Sequence, residues 1–360
     1  MDSKKILAIV VVVTLIASAA AFFMLRDIVD DDPDLTVVCL NKNGYEVQMI
    51  AEEKGFFSWL GLNVEVRNVS GSGQDAVNAM LAGEADIAFT GEGPVATTMN
   101  KYPGELVVLG GVTTATGGQV WVAGPAIADK VVAYDKVNQN KGDVKQSFVE
   151  MKTQLGAPVK LGVQQGATTE GEIKAWLKFM DIPFNDFGAT DPEKLVTLVN
   201  IKANQLVSSL GVADGIDMMA ASLPYPSQAT SIISGSKVVG SNADIDSYGI
   251  YTYVTTTDVY EDESKSEDIK KFLRALKLAT DYMNVAENEQ ECIDICAERI
   301  GGQKSTTEAQ FEISNWGLGW TIEMSNTLYK TCQKKNFTGI TEQMCIDVCP
   351  TRDYIATLYA

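Results

Sequence analysis

Residues 62–112 read "LNVEVRNVSGSGQDAVNAMLAGEADIAFTGEGPVATTMNKYPGELVVLGGV". Leu62, Val64 and Val66 alternate with polar neighbours, the period of a half-buried strand. "GQDAVNAMLAGE" follows a Ser/Gly turn and reads as a helix with a glycine stop. "ADIAFT" is a short apolar strand, and "TGEGP" opens a second helix with Pro94 in its first turn. "ELVVLGGV" is another strand. Strands alternating with helices predict an α/β unit with a mostly parallel, doubly wound sheet.

The rhythm extends outward in both directions. "LTVVCL" (35–40) is an apolar, β-branched strand, and "GYEVQMIAEEKGFFSWLG" (44–61) has helical spacing. Later, "VKLGVQ", "KLVTLVN" and "GIDMMAAS" read as strands, and "TTEGEIKAWLKFMD", "NQLVSSLGV" and "YPSQATSII" as helices. "SKVVGS" closes this second block. Between the two blocks, "GGQVWVAG" and "YGIYTYVTT" are β-like and carry no helix of their own, so they read as crossover strands between two lobes. After Glu263 the chain turns helical. The segments are 1–34, a membrane anchor or signal segment with its tether; 35–114, the first lobe; 115–249, the second lobe; and 250–360, a return to the first lobe with cysteine-bearing helices.

Composition narrows the function classes. The 360 residues carry 29 basic and 47 acidic side chains, a net charge of −18. Such a surface repels phosphate backbones, so nucleic acid is not an expected partner. The chain has no histidine, which removes Ser-His-Asp and Cys-His catalysis and most zinc sites. No metal or cofactor is expected. Ile6 to Leu25 is uncharged and long enough to span roughly 30 Å. Lys4 and Lys5 before it place the N-terminus inside as an anchor; "ASAAA" offers a signal-cleavage site as the rival. Either way the body is expected to be exported.

The run "NGYEVQMIAEEKGFFSWLGLNVEVRNVSGSGQDAVNAMLAGEADIAFTGEGP" (43–94) resembles the periplasmic substrate-binding proteins of ABC importers. The similarity is to the NMT1/THI5-like, SsuA/TauA-like branch, which takes sulfonates, nitrate, taurine and thiamine-pyrimidine precursors. It rests on Gly-Tyr, "EKGFF", "GL-V", the Ser/Gly turn and "AGEADIAFTG" in order, and weakens toward residue 290. The resemblance implies a periplasmic-binding-protein type 2 clamp: two lobes, two crossover strands, and ligand between the lobes. It also implies a non-enzymatic receptor that serves ABC permease and ATPase subunits. One branch of the family makes the thiamine pyrimidine, but that chemistry is tied there to a histidine, which this chain lacks.

In such folds ligands meet the ends of strands and the starts of helices. The expected contacts are Asn43 and Tyr45; Ser70 and Ser72; Thr90, Gly91, Glu92 and Gly93; Thr113, Thr114 and Thr116; Gln119; Gln165, Thr168 and Thr169; Ser222 and Tyr225; and Tyr248. Most are neutral donors, and each is also a natural cap or turn residue. Lys42 is the only nearby lysine. With Glu92 in the loop, this favours a zwitterion such as taurine, with an aminopyrimidine, nitrate or bicarbonate as alternatives.

Six cysteines are present. "CIDIC" and "CIDVC" place Cys292, Cys296, Cys345 and Cys349 as two C-x3-C pairs. Export permits disulfides, and a zip of Cys292–Cys349 with Cys296–Cys345 is the expected pairing; a four-thiolate metal site and free thiols are the alternatives. Cys332 has no evident partner. Asn68-Val-Ser70 and Asn336-Phe-Thr338 are glycosylation sequons.

Overall fold

The computed structural model describes residues 32–360. The apolar run 6–25, and with it the choice between anchor and cleaved signal, lies outside them. Among the described residues no helix is long and apolar enough to cross a membrane.

Two six-stranded sheets organise the chain. The first contains β1 (Leu35–Cys39), β2 (Val64–Asn68), β3 (Ile87–Gly91), β4 (Leu106–Thr116), β11 (Tyr248–Thr256) and β12 (Ser314–Gly319), in the order β12-β4-β11-β3-β1-β2. The second contains β5 (Gln119–Ala123), β6 (Val159–Val163), β7 (Phe184–Asn185), β8 (Val196–Asn200), β9 (Met218–Ser222) and β10 (Lys237–Ser241), ordered β10-β5-β9-β6-β8-β7. The chain passes between the sheets at residues 117–118 and returns through 242–247.

The sheets are mixed rather than mostly parallel. β1 pairs parallel with β2 and β3, while β11 is antiparallel to β3 and β4. In the second sheet β6 is parallel to β8 and β9, and β5 antiparallel to β9 and β10. A strand that arrives by a crossover enters its sheet from the opposite end, so the direction reverses where the lobes join.

Helices cover the sheets: α1 (Glu46–Glu53), α2 (Phe56–Trp59), α3 (Gly73–Leu81), α4 (Glu92–Lys101), α5 (Lys141–Leu155), α6 (Thr168–Phe179), α7 (Leu206–Ser209) and α8 (Tyr225–Ile232). α9 (Thr257–Glu261) and α10 (Ser266–Met283) begin the C-terminal part. α10 buries Ile269, Phe272, Leu273, Leu276, Ala279 and Met283 along one stripe. Its Phe272 joins an aromatic run: it lies edge-on to Tyr253 (5.1 Å), which stacks on Phe89 (4.1 Å). Burying one such ring contributes roughly 1.5–3 kcal/mol. The second lobe has its own core around Trp121, Trp176 and Phe148.

After α11 (Glu289–Ile300) and α12 (Lys304–Ile313), the chain adds β12 to the edge of the first sheet. It then forms α13 (Ile322–Lys334), α14 (Glu342–Asp347) and α15 (Arg352–Thr357). Their apolar faces, including Leu328 and Ile355, enter the first core, so the C-terminal section returns to the first lobe.

The expected disulfide zip is not formed. All six cysteines are buried thiols. Cys292 and Cys296 lie on α11, which packs against α1. Cys345 lies on α14, which packs against α13, and α14 ends before Cys349, whose thiol shares a hydrogen bond with the Thr351 hydroxyl (3.4 Å). The two C-x3-C segments belong to helices held against different parts of the lobe.

Candidate functional site: a closed cleft between the lobes

A cavity of about 40 Å³ lies where the two sheets face each other. One water needs roughly 10–15 Å³ of such volume, so the cleft is shut around room for a few atoms. From the first lobe it is lined by Lys42, Tyr45, Ser72, Gly73, Gly91, Glu92, Pro94, Gly249, Ile250 and Tyr251. The second lobe supplies Gln119, Gln164, Ala167, Thr168, Thr169, Ala203, Leu206, Ala220, Ala221 and Ser222.

Three helices begin at this cavity. Ser72 caps α3: its hydroxyl accepts from Gln74 N (3.2 Å), and Asp75 answers by accepting from Ser72 N (2.8 Å). α4 starts at Glu92 and α6 at Thr168. The partial positive ends of these helices favour negative charge in the cavity.

Two charged side chains are buried in the same wall. Lys42 is 8% exposed; its Nζ donates to Ser222 Oγ across the cleft (3.0 Å) and forms no ion pair among the described residues. Burial lowers its pKa to about 8, which Asp75 partly offsets. Glu92 is fully buried. Its Oε2 accepts from Ile250 N (2.8 Å), but its Oε1 has no partner. Burial first, and then the nearby Glu172, raise its pKa to about 7. An unpartnered buried carboxylate oxygen is costly unless something fills the acceptor.

The lobes are stitched directly. Gly93 N donates to Thr168 Oγ1 (3.1 Å) and Gln164 Nε2 to Asp75 Oδ2 (2.8 Å). Within the second lobe, Thr169 donates to Gln119. From α13, Lys334 Nζ reaches Glu172 Oε1 (2.6 Å) and Ser247 Oγ (2.8 Å). Lys335 Nζ reaches Ala167 O (3.1 Å) and Glu170 Oε2 (3.3 Å). Burial opposes the charge on Glu170, yet Lys335 and Lys174 outweigh it and hold its carboxyl below the usual range.

Gly93 permits this approach. A Cβ there would stand 2.3 Å from Thr168 Cα and 2.5 Å from Thr168 N, both backbone atoms that cannot step aside. Gly93→Ala is therefore expected to wedge the lobes apart and weaken solute binding by roughly tenfold or more. Small-angle scattering with ligand should show no compaction in the variant; normal compaction would remove Gly93 from this role.

Of the expected contacts, Tyr45, Ser72, Gly91, Glu92, Gln119, Thr168, Thr169 and Ser222 line the cavity. Tyr225 flanks it, with Lys42 Nζ 5.6 Å from its ring centroid. The others are placed elsewhere. Asn43 is buried and donates to Glu46 and Thr307 (both 3.2 Å). Ser70 is exposed, two residues before the Ser72 cap. Thr90 Oγ1 donates to Gly73 O (2.9 Å), bracing α3. Thr113, Thr114 and Thr116 are not in a loop, because β4 continues to Thr116 with Tyr251 opposite Thr113 and Ile250 opposite Thr114. Gln165 turns to a separate groove, with its N–H on Asn200 Oδ1 (3.0 Å). Tyr248 donates to Glu323 O (3.1 Å). Lys42, Gln164 and Tyr251 are lining residues outside the expected set.

Two α/β lobes, two passages between them and a closed polar cleft define a periplasmic-binding-protein clamp. A sequence model described as the NMT1-like family matches residues 30–297, and the chain belongs to that family. A comparison with curated protein sequences finds no significant match. Among solved structures it is similar to the periplasmic nitrate-binding protein NrtA from Synechocystis PCC 6803, at 15% identity and TM-score 0.68, covering 90% of this chain and 87% of that one. It is similar to the aliphatic sulphonate binding protein SsuA from Escherichia coli, at 14% identity and TM-score 0.58, covering 84% and 86%. It is also similar to the desulfurization enzyme DSZB, at 14% identity and TM-score 0.60, covering 90% and 98%. At these identities the likeness is one of fold.

Proposed function

We propose that the chain is the extracytoplasmic solute receptor of an ABC importer, held at the membrane by its N-terminal segment or released after cleavage. It captures a small polar solute between its lobes and presents it to permease and ATPase subunits. The favoured solute is a sulfonate-bearing zwitterion of the taurine type. An aminopyrimidine, nitrate or bicarbonate is the alternative.

One observation carries the reading. A buried lysine and a buried glutamate line the same small cavity, and among the described residues the lysine has no ion pair and the glutamate Oε1 no hydrogen-bond donor. An anionic group at Lys42 and the helix starts, and an ammonium at Glu92 Oε1, would answer both. A purely anionic solute would answer only the first. The lining contains neither cysteine nor histidine, so it offers no thiol nucleophile and no imidazole base, which supports a binder over a catalyst that works through either group.

Calorimetry with taurine, ethanesulfonate, nitrate, bicarbonate and an aminopyrimidine tests it. Taurine is expected to bind more tightly than ethanesulfonate, which lacks the amine. Consumption of the bound solute would overturn the receptor reading, and equal affinity for the two sulfonates would overturn the zwitterion.

A further inference from the structure

α13 lies beyond residue 297, where the match to the family ends, and it touches both lobes. It packs on α4 of the first lobe and on α6 of the second, and its Leu328 is buried in the first core. Its start holds the end of the return passage: Tyr248 Oη donates to Glu323 O (3.1 Å). Its end carries two lysines side by side. Lys334 Nζ donates to Ser247 Oγ in the passage (2.8 Å) and to Glu172 Oε1 on α6 (2.6 Å). Lys335 Nζ donates to the carbonyls of Gly166 (3.3 Å) and Ala167 (3.1 Å) and to Glu170 Oε2 (3.3 Å). These contacts surround the start of α6, where Thr168 and Thr169 line the cleft.

The acids on α6 are deeply buried: Glu172 is 1% exposed and Glu170 7%. A carboxylate so placed is costly without a cation. Glu170 has two, Lys174 of its own helix (2.7 Å) and Lys335 (3.3 Å). Glu172 has one among the described residues, Lys334, and its Oε2 accepts no hydrogen bond there.

We propose that Lys334 and Lys335 are positioning residues for closure: they hold the start of α6 against the first lobe and slow the escape of a captured solute. The link to escape rests on the receptor reading, but the hold on α6 can be measured with no solute present. A clamp that opens by parting α6 from α13 must break both ion pairs, so the clasp opposes opening. It has little influence on first encounter, which takes place on the open form.

The full chain is compared with Lys334→Met, Lys335→Met and Lys334→Met/Glu172→Gln, by stopped-flow with taurine as the probe and by hydrogen exchange without solute. In Lys334→Met the closed form buries Glu172 without a cation. The dissociation rate is expected to rise about tenfold or more, with association changed by less than about twofold. Exchange at residues 166–172 should quicken while β1 stays protected. Lys335→Met should act in the same direction but more weakly, because Lys174 still meets Glu170. Removing the acid as well, in Lys334→Met/Glu172→Gln, should recover much of the lost residence time, a rescue that simple damage to α13 would not show. Unchanged exchange at 166–172 in Lys334→Met would overturn the clasp. Normal dissociation with slowed association, or a double variant as fast to release taurine as the single one, would overturn its role in closure. If the natural chain does not bind taurine, that choice of solute fails by itself and the exchange at 166–172 decides the clasp.

Discussion

Lys42→Met is expected to lower affinity for taurine by about 100-fold while raising the stability of the unliganded protein. Methionine keeps the length and the apolar stem of lysine but removes the charge. Losing one partner of a buried, hydrogen-bonded charge pair costs roughly 2–5 kcal/mol, and 2.7 kcal/mol is about a hundredfold. The stability change has the opposite sign. Burial moves the pKa of Lys42 down from 10.5 to about 8. A lowered lysine destabilises the fold increasingly as pH falls from the unfolded value through the folded one. At pH 7 that cost is fully present, on the order of 3 kcal/mol at most, and methionine removes it. Calorimetry and thermal unfolding on one preparation separate the outcomes. Weaker binding with a higher midpoint is the expected pair. Unchanged affinity would show that Lys42 does not hold the solute, and a lower midpoint would mean that the charge is satisfied within the fold.

The same residue shows where sequence reading stops. The order of strands and helices between residues 35 and 256 is written in local periodicity, which near neighbours determine. Glu92 could be singled out as the carboxylate among neutral donors in a glycine loop, although an acid at a helix start is also a natural cap. Lys42 stands in an equally suggestive position, yet its burial depends on Ser222, 180 residues away, closing over it. Thr113 and Thr114 were legible only as residues after an apolar run, and threonine continues a strand as readily as it starts a turn. The edge strand β12 contains two glycines in "SNWGLG" and is held by pairing with β4, so it carries little local signal. The cysteine spacing suggested a symmetry that the packing does not follow: α11 packs on α1 and α14 on α13, which no repeat announces.

Glu92→Gln should separate the solute classes that the fold leaves open. The amide keeps the shape of the side chain and an acceptor for Ile250 N, but removes the charge facing the cavity. Taurine affinity is expected to fall by roughly 10- to 100-fold, because a charged hydrogen bond to the ammonium becomes a neutral one. Nitrate, if bound at all, should bind as well or better, since a nearby negative charge is gone. The pH profile of the natural chain adds an independent check. Burial raises Glu92 from 4.5 to about 7, so in the empty protein its ionisation costs stability progressively as pH rises from about 4.5 through 7, and the protonated form is the one the fold prefers. An ammonium requires the ionised form, so taurine affinity should climb by up to tenfold per unit as pH approaches 7 from below. Above about 8, Lys42 loses its proton and the anion loses its partner. Affinity should therefore peak between about pH 7 and 8, and Glu92→Gln should flatten the acidic limb while leaving the basic one. Nitrate should show the basic limb, with no loss on the acidic side. A taurine profile that stays flat from pH 5 to 7 would place the ammonium away from Glu92 and turn the choice of solute toward a simple anion.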